Sequence, residues 1–197
     1  MIAHVIDDLF DHAFITKLED TILDKVPVYT TNIANSRSYP KGRKGGTHRI
    51  CGIDIFSRST LNRVDTLHPH AGGFFDAFEV IEEMFEYPLQ LYRIDLNLQH
   101  MGMDGSPHVD SHEYTIMLMN NSEWKPEWGG QFQIMSDDWK TVLEEYEYVP
   151  GRVLMFPSDV PHRGLAPSDK SVYRYSTVFR VRVDEEQKSS IHPRYIE

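Results

Sequence analysis

Apolar positions along the chain change their spacing near residue 90. Before that point they recur at helical intervals: Ile6, Phe10, Phe14, Leu18 and Ile22 follow one another every four residues, and Leu9 and Ala13 widen the stripe. A four-residue recurrence holds side chains on one face of a 3.6-residue helix. The pattern therefore predicts an amphipathic helix over 5–24, with Asp7 and Asp8 in a first turn whose dipole favours acidic groups. A second helix is predicted after Gly72-Gly73. There Phe74, Ala77, Phe78, Ile81, Met84 and Phe85 share one face and Asp76, Glu79, Glu82 and Glu83 the other. Pro88 ends it, because the residue before a proline is pushed out of the helical region. Both stripes read as faces buried in a core rather than as binding grooves.

After Leu91 the period drops to two. Leu91 to Gln99 alternates over most of its length, and Tyr114 to Met119, Gln131 to Met135, Tyr146 to Phe156 and Val172 to Val183 are further predicted strands. Gly129-Gly130, Pro150-Gly151, Pro157-Ser158-Asp159 and Pro167-Ser168-Asp169 punctuate them as turns. Several short strands joined by such turns predict a sandwich or barrel for the second half. The carboxylates Asp137, Asp138, Glu144, Glu145 and Glu147 read as a solvated hairpin, and the polar tail from Asp184 as peripheral.

Composition narrows the picture. A length of 197 residues suits one domain, and 40% hydrophobic residues with 23 aromatics exclude a disordered chain. No apolar run approaches the roughly 20 residues of a membrane helix. The first residues have neither a basic nor a long apolar segment, so the expectation is a cytoplasmic protein with no membrane partner. The single cysteine, Cys51, excludes an internal disulfide framework and a cysteine-rich zinc site. A site metal would need His and carboxylate ligands. The net charge of −10 argues against a nucleic-acid partner, but it is unevenly placed: residues 37–70 carry +5 and the rest −15. With Pro40-Lys41-Gly42-Arg43-Lys44-Gly45-Gly46 at its centre, 37–63 reads either as a mobile basic lid that meets the substrate or as a solvated loop.

Among ten histidines, His108 in Pro107-His108-Val109-Asp110 stands out. In extended backbone residues two apart point the same way, so His108 and Asp110 can present imidazole and carboxylate to one point. A third ligand must come from another strand, and His162 follows the apolar run Val153 to Phe156. Two histidines and a carboxylate on one face of an octahedron leave three positions open, as in non-haem Fe(II) oxygenases. His112, two residues beyond Asp110, is the rival third ligand, although one strand does not easily supply all three. His68 and His70 read as surface residues. Trp124 and Trp128 read as packing at the rim or as the mouth of a site. No nucleophile triad, phosphate-cradling loop or zinc finger stands out.

From residue 90 to 183 the chain resembles the Fe(II)- and 2-oxoglutarate-dependent dioxygenases, especially the prolyl-4-hydroxylase-like branch. The resemblance rests on His108-Val109-Asp110, Gly129-Gly130-Gln131-Phe132, Pro150-Gly151-Arg152-Val153-Leu154-Met155-Phe156-Pro157, His162, and Arg174-Tyr175-Ser176, in this order and spacing. It implies a mainly β protein with flanking helices, a double-stranded β-helix or jelly roll with the N-terminal helices packed outside. One domain would span 1–197, with 1–89 as support and substrate lid, 90–183 as catalytic core and 184–197 as tail. By resemblance His108, Asp110 and His162 ligate iron, and Arg174 with Ser176 holds the distal carboxylate of 2-oxoglutarate. Gln99 stands where the family often has a cosubstrate-touching Tyr. Arg180 and Arg182 share the face of Arg174 and are its rivals, and the interval from His162 to Arg174 exceeds the family's by about two residues.

The resemblance further implies Fe(II), 2-oxoglutarate and O2 as cofactors, with ascorbate as an accessory. The cosubstrate would be decarboxylated to succinate while a substrate C–H is hydroxylated, and Asp110 argues against halogenation, since halogenases lose that ligand. The implied substrate is a prolyl residue in a peptide or protein; a free amino acid or small metabolite is the alternative. A cupin-type metal-binding protein without oxygenase activity is a third reading. Arg174 and Ser176 speak against it, because such a barrel needs no cosubstrate anchor.

Overall fold

A computed structural model describes residues 1–29, 50–58, 66–85 and 88–183. Most of the basic segment 37–63, and with it the predicted lid, lies outside the described residues, as does the tail 184–197. The described elements are β1 (His4–Ile6), α1 (His12–Lys25), β2 (Cys51–Ser57), β3 (Thr66–Leu67) and α2 (Gly72–Glu82). They continue with β4 (Leu89–Gln99), β5 (Tyr114–Met119), β6 (Phe132–Met135), β7 (Val142–Tyr146), β8 (Val153–Pro157), β9 (His162–Gly164) and β10 (Arg174–Val183). They form two antiparallel sheets, one seven-stranded in the order β1-β8-β5-β10-β4-β2-β3 and one three-stranded in the order β7-β6-β9.

Strands β5 and β8 of the large sheet are buried on both faces and are nearly continuous apolar runs. Ile116 and Leu118 of β5, Val153 and Met155 of β8, and Tyr175, Phe179 and Val181 of β10 share one cluster with Leu18 and Ile22 of α1 and Phe74 and Ile81 of α2. Phe78 of α2 meets Phe179 with ring centroids 5.7 Å apart. The alternate residues Met117, Met119, Leu154, Phe156 and Val178 turn the other way, into a second cluster with Phe132 and Ile134 of the small sheet. Strand alternation thus sends one set of side chains to the helices and the other between the sheets. The result is mainly β and jelly-roll-like.

Two expectations are corrected. The first helix begins at His12 rather than residue 5, capped by Asp11, whose carboxylate accepts from Phe14 N at 2.7 Å. His4–Ile6 instead pairs along β8, with His4 opposite Met155. Asp8, at φ 59°, turns the chain between strand and helix, and Asp7 pairs with Arg152 at 2.7 Å instead of facing the helix dipole. Ile6 fits both a four-residue stripe and a buried strand position, so the local pattern does not separate the two. The second correction concerns 146–156, which is not one strand: β7 ends at Tyr146 in the small sheet and β8 begins at Val153 in the large one. Pro150 offers no N–H to a ladder and Gly151 takes φ 73°, so the chain turns there and crosses between sheets.

In the acidic hairpin β6–β7, Asp137, Asp138, Glu145 and Glu147 are exposed, and Glu144 is half-buried. Glu144 accepts from Ile2 N at 2.8 Å and from Tyr146 Oη at 2.6 Å, and Glu145 accepts from Gln133. Burial and the Glu144 contact push the Tyr146 phenol up to about 12.

Candidate active site

Backbone pairing brings the two histidines together. His108 N donates to His162 O at 3.0 Å and His162 N to His108 O at 2.9 Å, so the two residues form a directly opposed antiparallel pair beside β9. Opposed residues project to the same face. Gly105 N donates to Gly164 O at 2.9 Å, which carries the pairing two residues further along β9. Asp110 N donates to Ser158 O at 2.7 Å, which ties this segment to the turn after β8.

The potential ligand atoms of His108, Asp110 and His162 lie within 4.8 Å of one another. Both imidazoles are held through Nδ1 by a carbonyl two residues back, Ser106 O at 2.9 Å and Val160 O at 2.8 Å. A carbonyl only accepts, so Nδ1 carries the proton and each Nε2 keeps its lone pair. These lone pairs point toward Asp110: His162 Nε2 is 3.2 Å from Oδ2 and His108 Nε2 3.6 Å from Oδ1. Burial lowers the His162 imidazole to about 4, so it is neutral at physiological pH. Asp110 Oδ2 accepts from Thr115 Oγ1 at 2.9 Å and contacts Arg180 Nη1. Two neutral imidazole nitrogens and a carboxylate form a donor set that suits a divalent transition metal.

The neutral His162 makes the metal-free protein acid-sensitive. Its folded value lies below its unfolded one, so the contribution is complete above about pH 6.5 and is lost as pH falls toward 4, on the order of 3 kcal/mol in all. Urea titrations of metal-free protein across that window should show the loss, and His162→Gln should flatten it.

Beside the ligands lies a cavity of about 470 Å³. At one end Arg174 is 2% exposed, and burial lowers its guanidinium to about 10, which leaves it charged at neutral pH. Its Nε donates to Gly130 O at 2.9 Å, and Nη1 donates to Gln99 Oε1 at 2.8 Å and Ser176 Oγ at 3.3 Å. The ring of Tyr148 lies 4.9 Å from its Cζ. Nη2 is buried with no partner among the described residues. A buried cation with an orphaned donor in a cavity wall fits the carboxylate of a ligand. Gln99 is fixed in turn, its amide donating to Met103 O at 2.9 Å and Gly164 O at 3.0 Å, so its oxygen is left to orient Arg174.

Two glycines make room for this arrangement. A Cβ on Gly164 would lie 3.1 Å from Gln99 Oε1 and 3.3 and 3.4 Å from the two Nη atoms of Arg174. Gly130 takes φ 81°, and a Cβ there would meet Trp124 at 3.0 Å and Arg174 Cδ at 3.3 Å. We expect Gly164→Ala to weaken 2-oxoglutarate binding about tenfold, by disturbing one charge-assisted contact, and to spare metal affinity. Isothermal titration with Mn(II) and then 2-oxoglutarate checks both.

The other candidates fall elsewhere. Among the described residues, the potential metal cluster holds His108, Asp110 and His162 and not His112. His112 takes φ 81°, which breaks the alternation with Asp110, and stacks on Tyr92 at 5.0 Å. His68 and His70 face each other at 5.7 Å, away from the cavity. Arg182 is exposed over the ring of Tyr92, outside the cavity wall, whereas Arg180 lines it. Trp124 packs on Tyr148 behind Gly130 and bonds Gly129 O, so it backs the Arg174 end. The longer His162–Arg174 interval is taken up by an outward turn: Pro167 bridges to Gly129, and Ser168 N donates to Trp128 O. Sequence reasoning missed Gly164, Thr115 and Tyr148. Gly164 was within reach, since it lies two residues beyond His162 on the same projected face.

Residues 94–182 match the family model of the 2OG-Fe(II) oxygenase superfamily. The match covers a little under half of the chain and spans His108, Asp110, His162 and Arg174. Members of that superfamily use Fe(II), 2-oxoglutarate and O2, and the match together with the His108-Asp110-His162 cluster supports a 2-oxoglutarate-dependent Fe(II) dioxygenase. A search of curated protein sequences finds no match. Among solved structures, the chain is similar to an oxidoreductase of the 2OG-Fe(II) oxygenase family from Burkholderia pseudomallei, with TM-score 0.67, 14% identity, and 91% of this chain and 84% of that one covered. It is also similar to a Pseudomonas putida prolyl-4-hydroxylase, with TM-score 0.57, 16% identity and 91% of both chains covered. A third likeness is to a Trichoplax adhaerens prolyl hydroxylase in complex with a hypoxia inducible factor peptide fragment, with TM-score 0.61, 14% identity, and 95% and 86% covered. At these identities the likenesses carry the fold. Among the described residues, no helix is long and apolar enough to cross a membrane.

Proposed function

We propose that this dioxygenase hydroxylates an unactivated C–H bond, with His108, Asp110 and His162 holding Fe(II) and Arg174 holding the distal carboxylate of 2-oxoglutarate. The observation that carries the reading is the pairing of a neutral two-histidine, one-carboxylate set with a buried guanidinium whose Nη2 lacks a partner, both in the wall of one cavity. When bound, iron would activate O2, the oxidant, whose two oxygen atoms end in succinate and in the hydroxylated substrate, while 2-oxoglutarate is oxidised to succinate and carbon dioxide. The chain's own residues do the placing. Ser106 and Val160 carbonyls fix the imidazole tautomers, and Thr115 fixes the carboxylate. Gln99, Gly130 and Ser176 aim the guanidinium, and the Tyr148 ring supports it from behind. Ascorbate enters only as an accessory reductant. Residues 1–89 serve as support for the 90–183 core within one domain.

For the substrate, the prolyl hydroxylases among the structural likenesses support a prolyl residue in a peptide or protein. A free amino acid or small metabolite is favoured by a different observation: Arg93, Asp95 and Arg180 in the cavity wall are charged, whereas a bare prolyl ring is neutral. The test is succinate release from 2-oxoglutarate and Fe(II) across proline-containing peptides and free amino acids. Stimulation by one class assigns it. Absence of Mn(II) and 2-oxoglutarate binding would overturn the proposed ligand set.

A further inference from the structure

The end of the cavity away from Arg174 holds an arrangement that neither metal nor cosubstrate accounts for. Arg180 lies six positions beyond Arg174, about 20 Å along β10, so the two guanidiniums serve opposite ends of the wall. Arg180 stands opposite Arg93 of β4, and the side chain of Asp95 lies between them. Arg93 is satisfied: its Nε bonds Asp95 and its Nη2 bonds Asp54, each at 2.6 Å. Arg180 is not matched in the same way. Its Nε is 3.8 Å from the Asp95 oxygen that Arg93 leaves over, Nη1 donates to Thr115 Oγ1 at 2.9 Å, and its close ionic partner is Asp110. Asp110 is the carboxylate that the metal would claim.

The charges of the wall lead to the same place. Arg93, Arg174 and Arg180 against Asp95 and Asp110 leave one positive charge in excess. A divalent metal and doubly charged 2-oxoglutarate cancel each other and leave that excess standing. Asp54, the further partner of Arg93, lies outside the wall; both members of that pair are partly exposed, so it offsets part of the excess on the Arg93 side and leaves Arg180 as the buried cation whose carboxylate partner the metal would claim. Burial of a cation without a counter-ion is costly, and a planar guanidinium fork matches a carboxylate.

We propose that Arg180 is a specificity-determining residue that binds a carboxylate of the substrate. This rests on the oxygenase reading above. The carboxylate belongs either to a free amino acid or to a peptide, and in both cases its distance from the reacting C–H is set by the distance from Arg180 to the metal ligands. Asp95, shared between the two arginines, holds Arg180 in place from the side opposite the metal.

The experiment is calorimetric, on the full chain loaded with Mn(II) and 2-oxoglutarate, so that no turnover is needed. The probes are the twenty free amino acids, each against its amide, and a Gly-Pro dipeptide with a free or amidated C-terminus. We expect at least one carboxylate to bind about tenfold to a hundredfold tighter than its own amide. The free acid or the dipeptide, whichever binds, names the source. Arg180→Gln should erase that preference, Arg180→Lys should keep part of it, and neither should weaken Mn(II) binding. If no carboxylate binds better than its amide, the proposal is wrong. It is equally wrong if Arg180→Gln lowers Mn(II) affinity as much as carboxylate affinity, since Arg180 would then merely position Asp110. Should either variant fail to fold, the acid-to-amide ratio of the unmodified chain still decides. Failure of the underlying reading would appear earlier, as absent Mn(II) or 2-oxoglutarate binding in the first two titrations.

Discussion

Replacement of His162 by alanine is expected to abolish turnover and to weaken Fe(II) or Mn(II) binding beyond the roughly 10–100-fold that loss of an outer-shell partner costs. The ring is buried, its Nδ1 proton is fixed on Val160 O, and its Nε2 lone pair faces Asp110. Its removal leaves His108 and Asp110, two ligands from one short segment that do not enclose a metal. His108→Ala and Asp110→Ala should fail to the same degree, because each leaves two donors of three. Equilibrium dialysis with Mn(II), followed by succinate assays with Fe(II), checks all three variants. Retention of full metal affinity by any one of them would remove that residue from the site. Circular dichroism separates this outcome from unfolding.

Arg174→Ala should weaken 2-oxoglutarate binding by about 3 kcal/mol, on the order of a hundredfold, while metal affinity stays near that of the unmodified protein. The loss has two parts: the carboxylate loses its charge-assisted partner, and Gln99 Oε1 and Gly130 O lose the donor they face in a buried place. Arg174→Lys should recover only part of the affinity, since an ammonium neither forks nor stacks on Tyr148 as the guanidinium does. Unchanged 2-oxoglutarate affinity in Arg174→Ala would move the role to Arg180. Arg182 is not a candidate, being exposed over Tyr92 and outside the cavity wall.

Much of this site was legible in the chain, and the reasons can be traced to particular residues. Alternation alone puts His108 and Asp110 on one side of an extended segment, and Arg174, Ser176 and Arg180 on one face of β10. The turn signals at Gly129-Gly130 and Pro150-Gly151 fall where backbone at positive φ is found. The start of α1 was not legible. The pairing of His4–Ile6 depends on an open edge of β8, about 150 residues away in sequence, and a local apolar stripe carries no trace of it. The break between β7 and β8 was missed although Pro150-Gly151 was seen, because both flanks are apolar and only their membership of different sheets distinguishes them.

The sequence by itself determined the residue chemistry, the period of each element and the order of ligand, turn and anchor along the chain. These are properties of neighbours within a few positions, where backbone geometry dictates which side chains share a face. Which faces meet was decided only by the tertiary structure. The mutual backbone bonds of His108 and His162 bring a distant histidine beside His108 and Asp110, and Gly164 beneath Arg174 leaves the space for its guanidinium. The register of β4 on β10, unbroken from Arg174 to Arg180, sets Arg93 opposite Arg180. Cross-strand register arises from the closure of two sheets around one core, and its free energy belongs to packing and pairing between distant segments.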